Sequence, residues 1–219
     1  MGCAAIIVAS GSSRRMGFDK LAAEILGAPV LVRSTRAFMA AAEITRVIVV
    51  CPEERFRLLA GEVFPKPLVR VDGGDQRQDS VARGLAALAA DDELVAVHDG
   101  ARPLVRPASI DACVEAARQH GAATLAHPVT DTVKKADAAG FARSSVDRDG
   151  LWAMETPQVF RASLLREAYA AVAERGLAVT DEVSALEAIG IPTKLVGSLF
   201  PNPKITVPAD IPLATALLK

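Results

Sequence analysis

Ile6-Ile7-Val8-Ala9-Ser10-Gly11-Ser12-Ser13-Arg14-Arg15-Met16-Gly17-Phe18-Asp19-Lys20 is the stretch on which the reading of this chain turns. It opens as a short apolar run, long enough for a buried strand and too short for a core helix. It then becomes a string of small residues carrying two arginines and a lysine. Gly11 and Gly17 permit a tight path with left-handed dihedrals, and Ser10, Ser12 and Ser13 keep the loop thin. A thin loop brings main-chain N–H groups close to an anion, while Arg15 and Lys20 supply fixed positive charge. The pattern suits a triphosphate cradle, against the plainer alternative of a strand-to-helix loop with solvated arginines. A dinucleotide fingerprint is excluded, because Ser13 and Met16 stand where it needs glycines. A Walker loop is excluded because Lys20 lies between Asp19 and Leu21, outside any Gly-Lys-Ser/Thr context.

Bulk properties narrow the setting. The chain has 219 residues, enough for one large domain burying about 70% of its unfolded surface. Lys+Arg number 25 and Asp+Glu 26, so no general nucleic-acid surface is expected and any anion site must be local. No uninterrupted apolar run approaches ~18 residues, so no membrane span is expected, and the N-terminus lacks a secretory signal pattern. Cys3, Cys51 and Cys113 show no CxxC spacing and read as buried reduced thiols, which fits a cytoplasmic location. His98, His120 and His127 show no paired ligand spacing.

Around the opening stretch, apolar strand-like runs alternate with helix-like segments. Strands are expected at Cys3–Ala9, Arg46–Val50, Leu68–Val71, Leu94–Val97 and Ala122–Ala126. Helices are expected near Pro29–Ala41, Glu53–Leu59, Asp79–Ala89 and Ala108–His120. Such alternation favours a single-domain, Rossmann-like α/β fold: a mostly parallel sheet with helices on both faces. Ligands of such sheets bind outside the carboxyl ends of the strands. The unusual loops Ser10–Lys20, Gly73–Ser80, His98–Pro103 and Pro128–Thr132 all follow strands and are therefore expected to converge on one edge. Past Asp131, Thr132–Lys135 and Arg143–Asp147 read as two short strands around a turn at Ala138–Gly140, a protruding β-arm at about residues 131–150. Such a ribbon is marginal alone: it leans on something else, such as the same ribbon of a second subunit, or is a solvated hairpin. Leu151–Glu155, a helix Arg161–Arg175, a helix from Asp181 to Ile189, strands Thr193–Val196 and Lys204–Val207 and a helix Pro208–Leu218 complete one domain, residues 1–219.

Two further stretches carry chemistry. In Gly73-Gly74-Asp75-Gln76-Arg77-Gln78-Asp79-Ser80, paired glycines allow close backbone approach to a flat group, and Asp75 and Ser80 can bond a base edge. The same residues also suit a turn with Asp79 or Ser80 capping a helix. In His98-Asp99-Gly100-Ala101-Arg102-Pro103, Asp99 at a strand's carboxyl end is placed to coordinate Mg²⁺ or orient a hydroxyl. Arg102 can bind phosphate, or pair with Asp99 in a purely structural role.

The loop Ala9–Gly17 with Lys20 resembles the signature loop of nucleotidyltransferases. Joined to Gly73-Gly74-Asp75, Ser80, Asp99-Gly100-Ala101-Arg102-Pro103, Asp131-Thr132, Val146-Asp147-Arg148, Thr156-Pro157-Gln158, Thr180-Asp181-Glu182 and Lys204-Ile205-Thr206, it is similar to the 2-C-methyl-D-erythritol 4-phosphate cytidylyltransferases over nearly the whole chain. The resemblance implies transfer of CMP from CTP to a polyol phosphate, with Arg15, Lys20 and Lys204 catalytic and Mg²⁺ held mainly by the CTP phosphates. It implies that Ala9, Ser10, Gly11, Gly74, Asp75 and Ser80 bind the nucleotide. It also implies that Asp99, Arg102, Thr156 and Thr180 line the acceptor pocket, with Thr132 and Arg148 reaching a neighbour's site in a homodimer. The nearest rival is a ribitol 5-phosphate cytidylyltransferase, and a rival of another kind is a non-catalytic nucleotide-binding protein on the same fold. Departures from the common pattern are Ser10, Ser13, Gly100 and Pro203. Pro203 removes an N–H beside Lys204.

Overall fold

The computed structural model describes residues 2–13 and 16–219. Arg14 and Arg15, and with them one expected catalytic residue, lie outside the described residues. The first strand, β1 (Gly2–Val8), is followed by two two-residue strands, β2 (Glu24–Ile25) and β3 (Ala28–Pro29), which the sequence pattern did not announce. Helix α1 (Val30–Ala40), β4 (Ile44–Val50) and α2 (Glu53–Phe56) come next, α2 running on into a 3₁₀ turn at Arg57–Leu59. Then follow β5 (Leu68–Val71), α3 (Arg77–Ala86), β6 (Asp92–Asp99), α4 (Pro107–His120) and β7 (Ala122–Pro128). The arm is β8 (Val133–Ala136) and β9 (Ala142–Val146), and β10 (Trp152–Arg161), α5 (Ala162–Glu174), α6 (Glu182–Glu187), β11 (Lys194–Gly197) and α7 (Asp210–Leu217) complete the chain.

Seven strands form one sheet in the order β11-β7-β10-β6-β1-β4-β5. β1 pairs in parallel with both β4 and β6, β4 pairs in parallel with β5, and β11 in parallel with β7. β10 is antiparallel to both its neighbours, β6 and β7, so six strands share a direction and one opposes them. The chain builds outward from β1 through β4 to β5, then returns to β6 on the other side. This makes the β1/β6 boundary the topological switch point, where open α/β sheets hold their ligands.

β1 reads as a continuous apolar run because both its faces are covered. Cys3, Ala5 and Ile7 join Phe38 of α1 and Ile110, Cys113 and Val114 of α4 in one core. Ala4 and Ile6 join Val81 and Leu85 of α3 and Leu165 and Ala168 of α5 in the other. Helix ends follow elementary chemistry. Pro107 occupies the first turn of α4, where its missing N–H costs nothing, and Gly121 ends that helix at φ 87°. Asp181 caps α6 by accepting the Ser184 N–H (3.0 Å).

Two expectations need correcting. Helix α3 begins at Arg77 rather than Asp79: its N-cap is Gln76, whose N–H donates to Asp79 Oδ2 at 2.9 Å. Trp152–Glu155 forms the first part of β10, whose ladder to β7 shifts register between Met154 and Gln158, around Pro157. Such an irregularity is where a proline is tolerated inside a sheet. Lys204–Val207 is not a strand, since its backbone groups are engaged elsewhere: Ile205 N–H donates to Ala101 O at 2.8 Å. The arm matches its expected turn, with Gly140 at φ 86° and its N–H donating to Asp137 O.

Candidate active site

The loops after β1, β5 and β6 meet over the switch point and enclose a cavity of about 590 Å³. Its walls include Ala9, Ser10, Gly11, Lys20, Gly74, Asp75, Arg77, Asp99 and Lys204.

The first loop is shaped by its own backbone and by one arginine from α2. Gly17 takes φ 73°, as expected, but the second left-handed residue is Ser13 (φ 53°), not Gly11. A Cβ at Gly11 would meet nothing within 4 Å, so this glycine leaves its backbone bare toward the cavity. Arg55 braces the loop: its guanidinium donates to the carbonyls of Ala9 and Gly11 and pairs with Asp19 (2.9 Å). Asp19 in turn accepts the Leu21 N–H at 3.0 Å.

The second loop is pinned to the first. Ser10 Oγ and Ser80 Oγ are 2.8 Å apart, and Gly74 N–H donates to Ser80 Oγ (3.1 Å). Ser80 is fully buried behind the cavity wall, so its hydroxyl joins the two loops rather than facing the space between them. The paired glycines are required by space. A Cβ at Gly73 would lie 2.3 Å from Ser10 Cβ, and one at Gly74 2.3 Å from Asp79 Cβ.

Charge concentrates at Asp99. Its Oδ2 lies 2.6 Å from Lys204 Nζ and its Oδ1 3.1 Å from Arg77 Nε. Burial pushes this carboxyl up, but Arg77, then Lys204 and Arg102, outweigh burial and hold it well below the usual carboxylate range. Arg77 also forms a two-pronged pair with the fully buried Glu182 of α6, at 2.7 and 3.0 Å, and Tyr169 donates to the same carboxylate (3.0 Å). Glu182's main-chain N–H donates to Gln158 Oε1, which ties α6 to β10.

Below Asp99, Thr156 Oγ1 accepts the Asp99 N–H (3.1 Å) and lies 2.9 Å from His98 Nδ1. His98 Nε2 faces Arg102 O at 3.2 Å, and a carbonyl only accepts, so the ring proton sits on Nε2 and the threonine hydroxyl donates to Nδ1. His98 is fully buried, which pushes it down to about 3 and keeps it neutral.

The two lysines expected to flank the reacting phosphorus meet at this cavity. Lys20 Nζ donates to the carbonyl of Ile205, next to Lys204, at 2.8 Å. Of the other expected residues, Ala9, Ser10, Gly11, Gly74, Asp75 and Asp99 line the same cavity. Arg102 stands beside it, donating to Asn202 O (2.7 Å) and Met154 O (3.3 Å) and forming no side-chain ion pair with Asp99. Thr156 is buried beneath Asp99, and Thr180 lies at the start of α6 with its hydroxyl 3.2 Å from Ser184 Oγ. Thr132 and Arg148 lie at the base of the exposed arm, where Arg148 donates to Thr130 O. Arg55 and Arg77 were not anticipated. In sequence Arg55 is an ordinary helix charge and Arg77 a charge in the loop before Asp79, and only long-range pairing sets them apart.

Among the described residues no three His, Cys, Asp or Glu side chains cluster as a metal site. Both oxygens of Asp99 are engaged, by Lys204 and Arg77, so a divalent ion carried in on a triphosphate would be held mainly by the phosphates.

A switch-point cavity floored by a Gly/Ser loop and walled by two lysines defines a nucleotidyltransferase of the α/β class. The model of the family "2-C-methyl-D-erythritol 4-phosphate cytidylyltransferase" matches residues 3–219, and the chain belongs to this family of cytidylyltransferases. It is 42% identical to the 2-C-methyl-D-erythritol 4-phosphate cytidylyltransferase of Pelotomaculum thermopropionicum, over 99% of this chain and 94% of that protein. It is 43% identical to that of Geobacillus kaustophilus, over 100% of this chain and 97% of the relative. The crystal structure of the Thermus thermophilus enzyme superposes with a TM-score of 0.82 at 35% identity, covering 99% of this chain and 98% of that one.

Proposed function

We propose that this cytidylyltransferase transfers CMP from CTP to 2-C-methyl-D-erythritol 4-phosphate. An oxygen of the acceptor phosphate bonds to the α-phosphorus, the bond to the α,β-bridging oxygen breaks, and pyrophosphate leaves. Both partners are anions, so the reaction needs charge and alignment more than a nucleophile or base from the protein. Lys20, with Arg15, holds the triphosphate, and Lys204 neutralises charge at the α-phosphate. The observation that carries this reading is the Lys20–Ile205 hydrogen bond, which brings cations from opposite ends of the chain to one wall. The bare backbone at Gly11 and the close-packed Gly73–Gly74 turn favour a flat base lying against Ala9, Ser10, Gly74 and Asp75. Ser80 serves that pocket from behind.

Asp99, Arg102, Thr156 and Thr180 line the acceptor pocket, Thr156 holding Asp99 from beneath through the Asp99 N–H. A metal ion bound with the triphosphate supplies further neutralisation of phosphate charge. Thr132 and Arg148 complete the acceptor site of a second copy. In support, the two-stranded arm is exposed and marginal alone, with Phe141 two-thirds exposed. Beside Arg102 and Lys204 lies a second hollow of about 650 Å³, flanked by Leu199, Phe200 and Leu213. Three buried thiols, none in a disulfide, suit a reducing compartment, and no described helix is long and apolar enough to cross a membrane.

Pyrophosphate release from CTP tests the reading, with methylerythritol phosphate and ribitol 5-phosphate in parallel, with and without Mg²⁺. A higher kcat/KM for the methylerythritol acceptor is expected. A preference for ribitol phosphate refutes the acceptor, and no turnover with either favours a binding protein.

A further inference from the structure

Asn202 stands two residues before Lys204 on a segment that belongs to no helix or strand, yet it is almost completely buried. Its Nδ2 donates to Glu155 Oε2 (3.0 Å) and to Thr156 O (2.9 Å), two acceptors that fix the orientation of the amide. Its main-chain carbonyl accepts from Arg102 Nη1 (2.7 Å). Glu155 is buried too, and its second oxygen pairs with His127 Nδ1 at 2.7 Å. Only Pro203 separates this clamp from Lys204, and its ring fixes one of the intervening backbone angles. On the far side, Ile205 is tied through its N–H to Ala101 and through its carbonyl to Lys20.

We propose that Asn202, held by Glu155, is a positioning residue that sets Lys204 and Arg102 in a common register. The cation offered to the reacting phosphorus and the cation offered to the acceptor then move as one unit. The inference deepens the roles given above to Lys204 and Arg102 and rests on them. A side chain serving stability alone would need only to fill this space. Asn202 instead directs its amide to β10 and its carbonyl to Arg102, and with Arg102, Glu155 and Lys204 it lines the second hollow. The clamp also accounts for Pro203: the N–H it lacks is not needed, because its neighbours are anchored on either side.

Steady-state kinetics of Asn202→Ala, Glu155→Ala and Glu155→Gln test this. Asn202→Ala and Glu155→Ala are expected to lower kcat roughly 10- to 100-fold, the cost of about 1 Å of misplacement, and to raise the KM for the acceptor. The KM for CTP should stay within about twofold, because that pocket lies at Ser10 and Gly74. Glu155→Gln still offers Asn202 an oxygen and should remain within about threefold of the parent. Hydrogen exchange at the Ile205 amide should quicken in Asn202→Ala. Unchanged kinetics in folded Asn202→Ala overturn the proposal, as does a uniform loss that tracks Tm. If Asn202→Ala does not fold, the contrast between Glu155→Ala and Glu155→Gln decides, and equal behaviour of those two overturns it. A near-normal Lys204→Ala would instead remove the role of Lys204, while Ile205 exchange would still report whether Asn202 holds the segment.

Discussion

Lys204 Nζ lies 2.6 Å from Asp99 Oδ2, so the cation assigned to the α-phosphate rests on a buried carboxylate. Arg77 holds the other oxygen at 3.1 Å. An incoming phosphate must therefore draw Lys204 from Asp99 or share it. Asp99→Asn removes that competition and leaves two cations less neutralised. The KM for CTP should not rise, while the KM for the acceptor should rise about tenfold or more, the worth of one hydrogen bond to a charged group. Steady-state kinetics with each substrate varied in turn will show the split.

Removing either lysine should be far more costly. Lys20→Ala and Lys204→Ala are each expected to lower kcat by about 10²–10³, the scale of losing one transition-state donor. Pyrophosphate release at saturating substrates measures this, and near-normal turnover in both variants would contradict the mechanism.

The glycine turn makes a steric prediction. In Gly73→Ala the new Cβ would sit 2.3 Å from Ser10 Cβ and part the two loops that Ser80 joins. The KM for CTP should rise about tenfold or more, as expected where overpacking costs 1–3 kcal/mol. Gly100→Ala is the control: its Cβ would lie 3.2 Å from Val8 O, an approach a small shift relieves. Its Tm should fall only slightly and its CTP affinity hold.

His98 makes the fold sensitive to acid. Its folded value, about 3, lies below the ordinary 6.5, so above pH 6.5 its contribution to stability is fully present. Between pH 6.5 and about 3 the unfolded chain binds a proton that the folded chain refuses, and stability falls by up to about 1.4 kcal/mol per pH unit. Asp99, also depressed, adds a loss that begins lower, in the ordinary carboxylate range. Urea titrations from pH 7 to 4 should show the decline, and His98→Gln should flatten its upper part. An unchanged slope in that variant would rule His98 out as its source.

Shared sites predict complementation. If Arg148 serves a second copy's cavity, Lys204→Ala and Arg148→Ala, each impaired alone, should recover activity when mixed and allowed to exchange subunits. In a random 1:1 mixture about a quarter of the sites draw every residue from intact positions. No recovery, with dimers demonstrated by sedimentation, would place Arg148 in its own chain's site or outside any.

The sheet and its ligand edge were legible because the centres of β1, β4, β6 and β7 are buried on both faces and read as mostly apolar runs, each followed by small or charged residues. β10 was not, because Pro157 splits its pattern and the bulge that accommodates it depends on neighbouring strands. Lys204–Val207 has strand-like composition, yet Ala101 and Lys20 take its backbone groups instead of a ladder. Arg55 looked like a charge on a short helix and Arg77 like one in the loop before Asp79. Their partners stand far along the chain, Glu182 being 105 residues from Arg77, and no local spacing encodes such a pairing.

The reversed direction of β10 has a consequence for how the molecule can vary. β7 finishes at the ligand edge, and β10, running the other way, must start there, so whatever joins them is rooted at the rim of the cavity. The root is fixed by sheet geometry, while the ribbon beyond it contributes to neither core. Reach can thus change by adding or deleting ribbon pairs without disturbing a single core contact. The same reversal delivers Glu155 and Thr156, at a strand's beginning, to an edge where every neighbouring strand comes to its end.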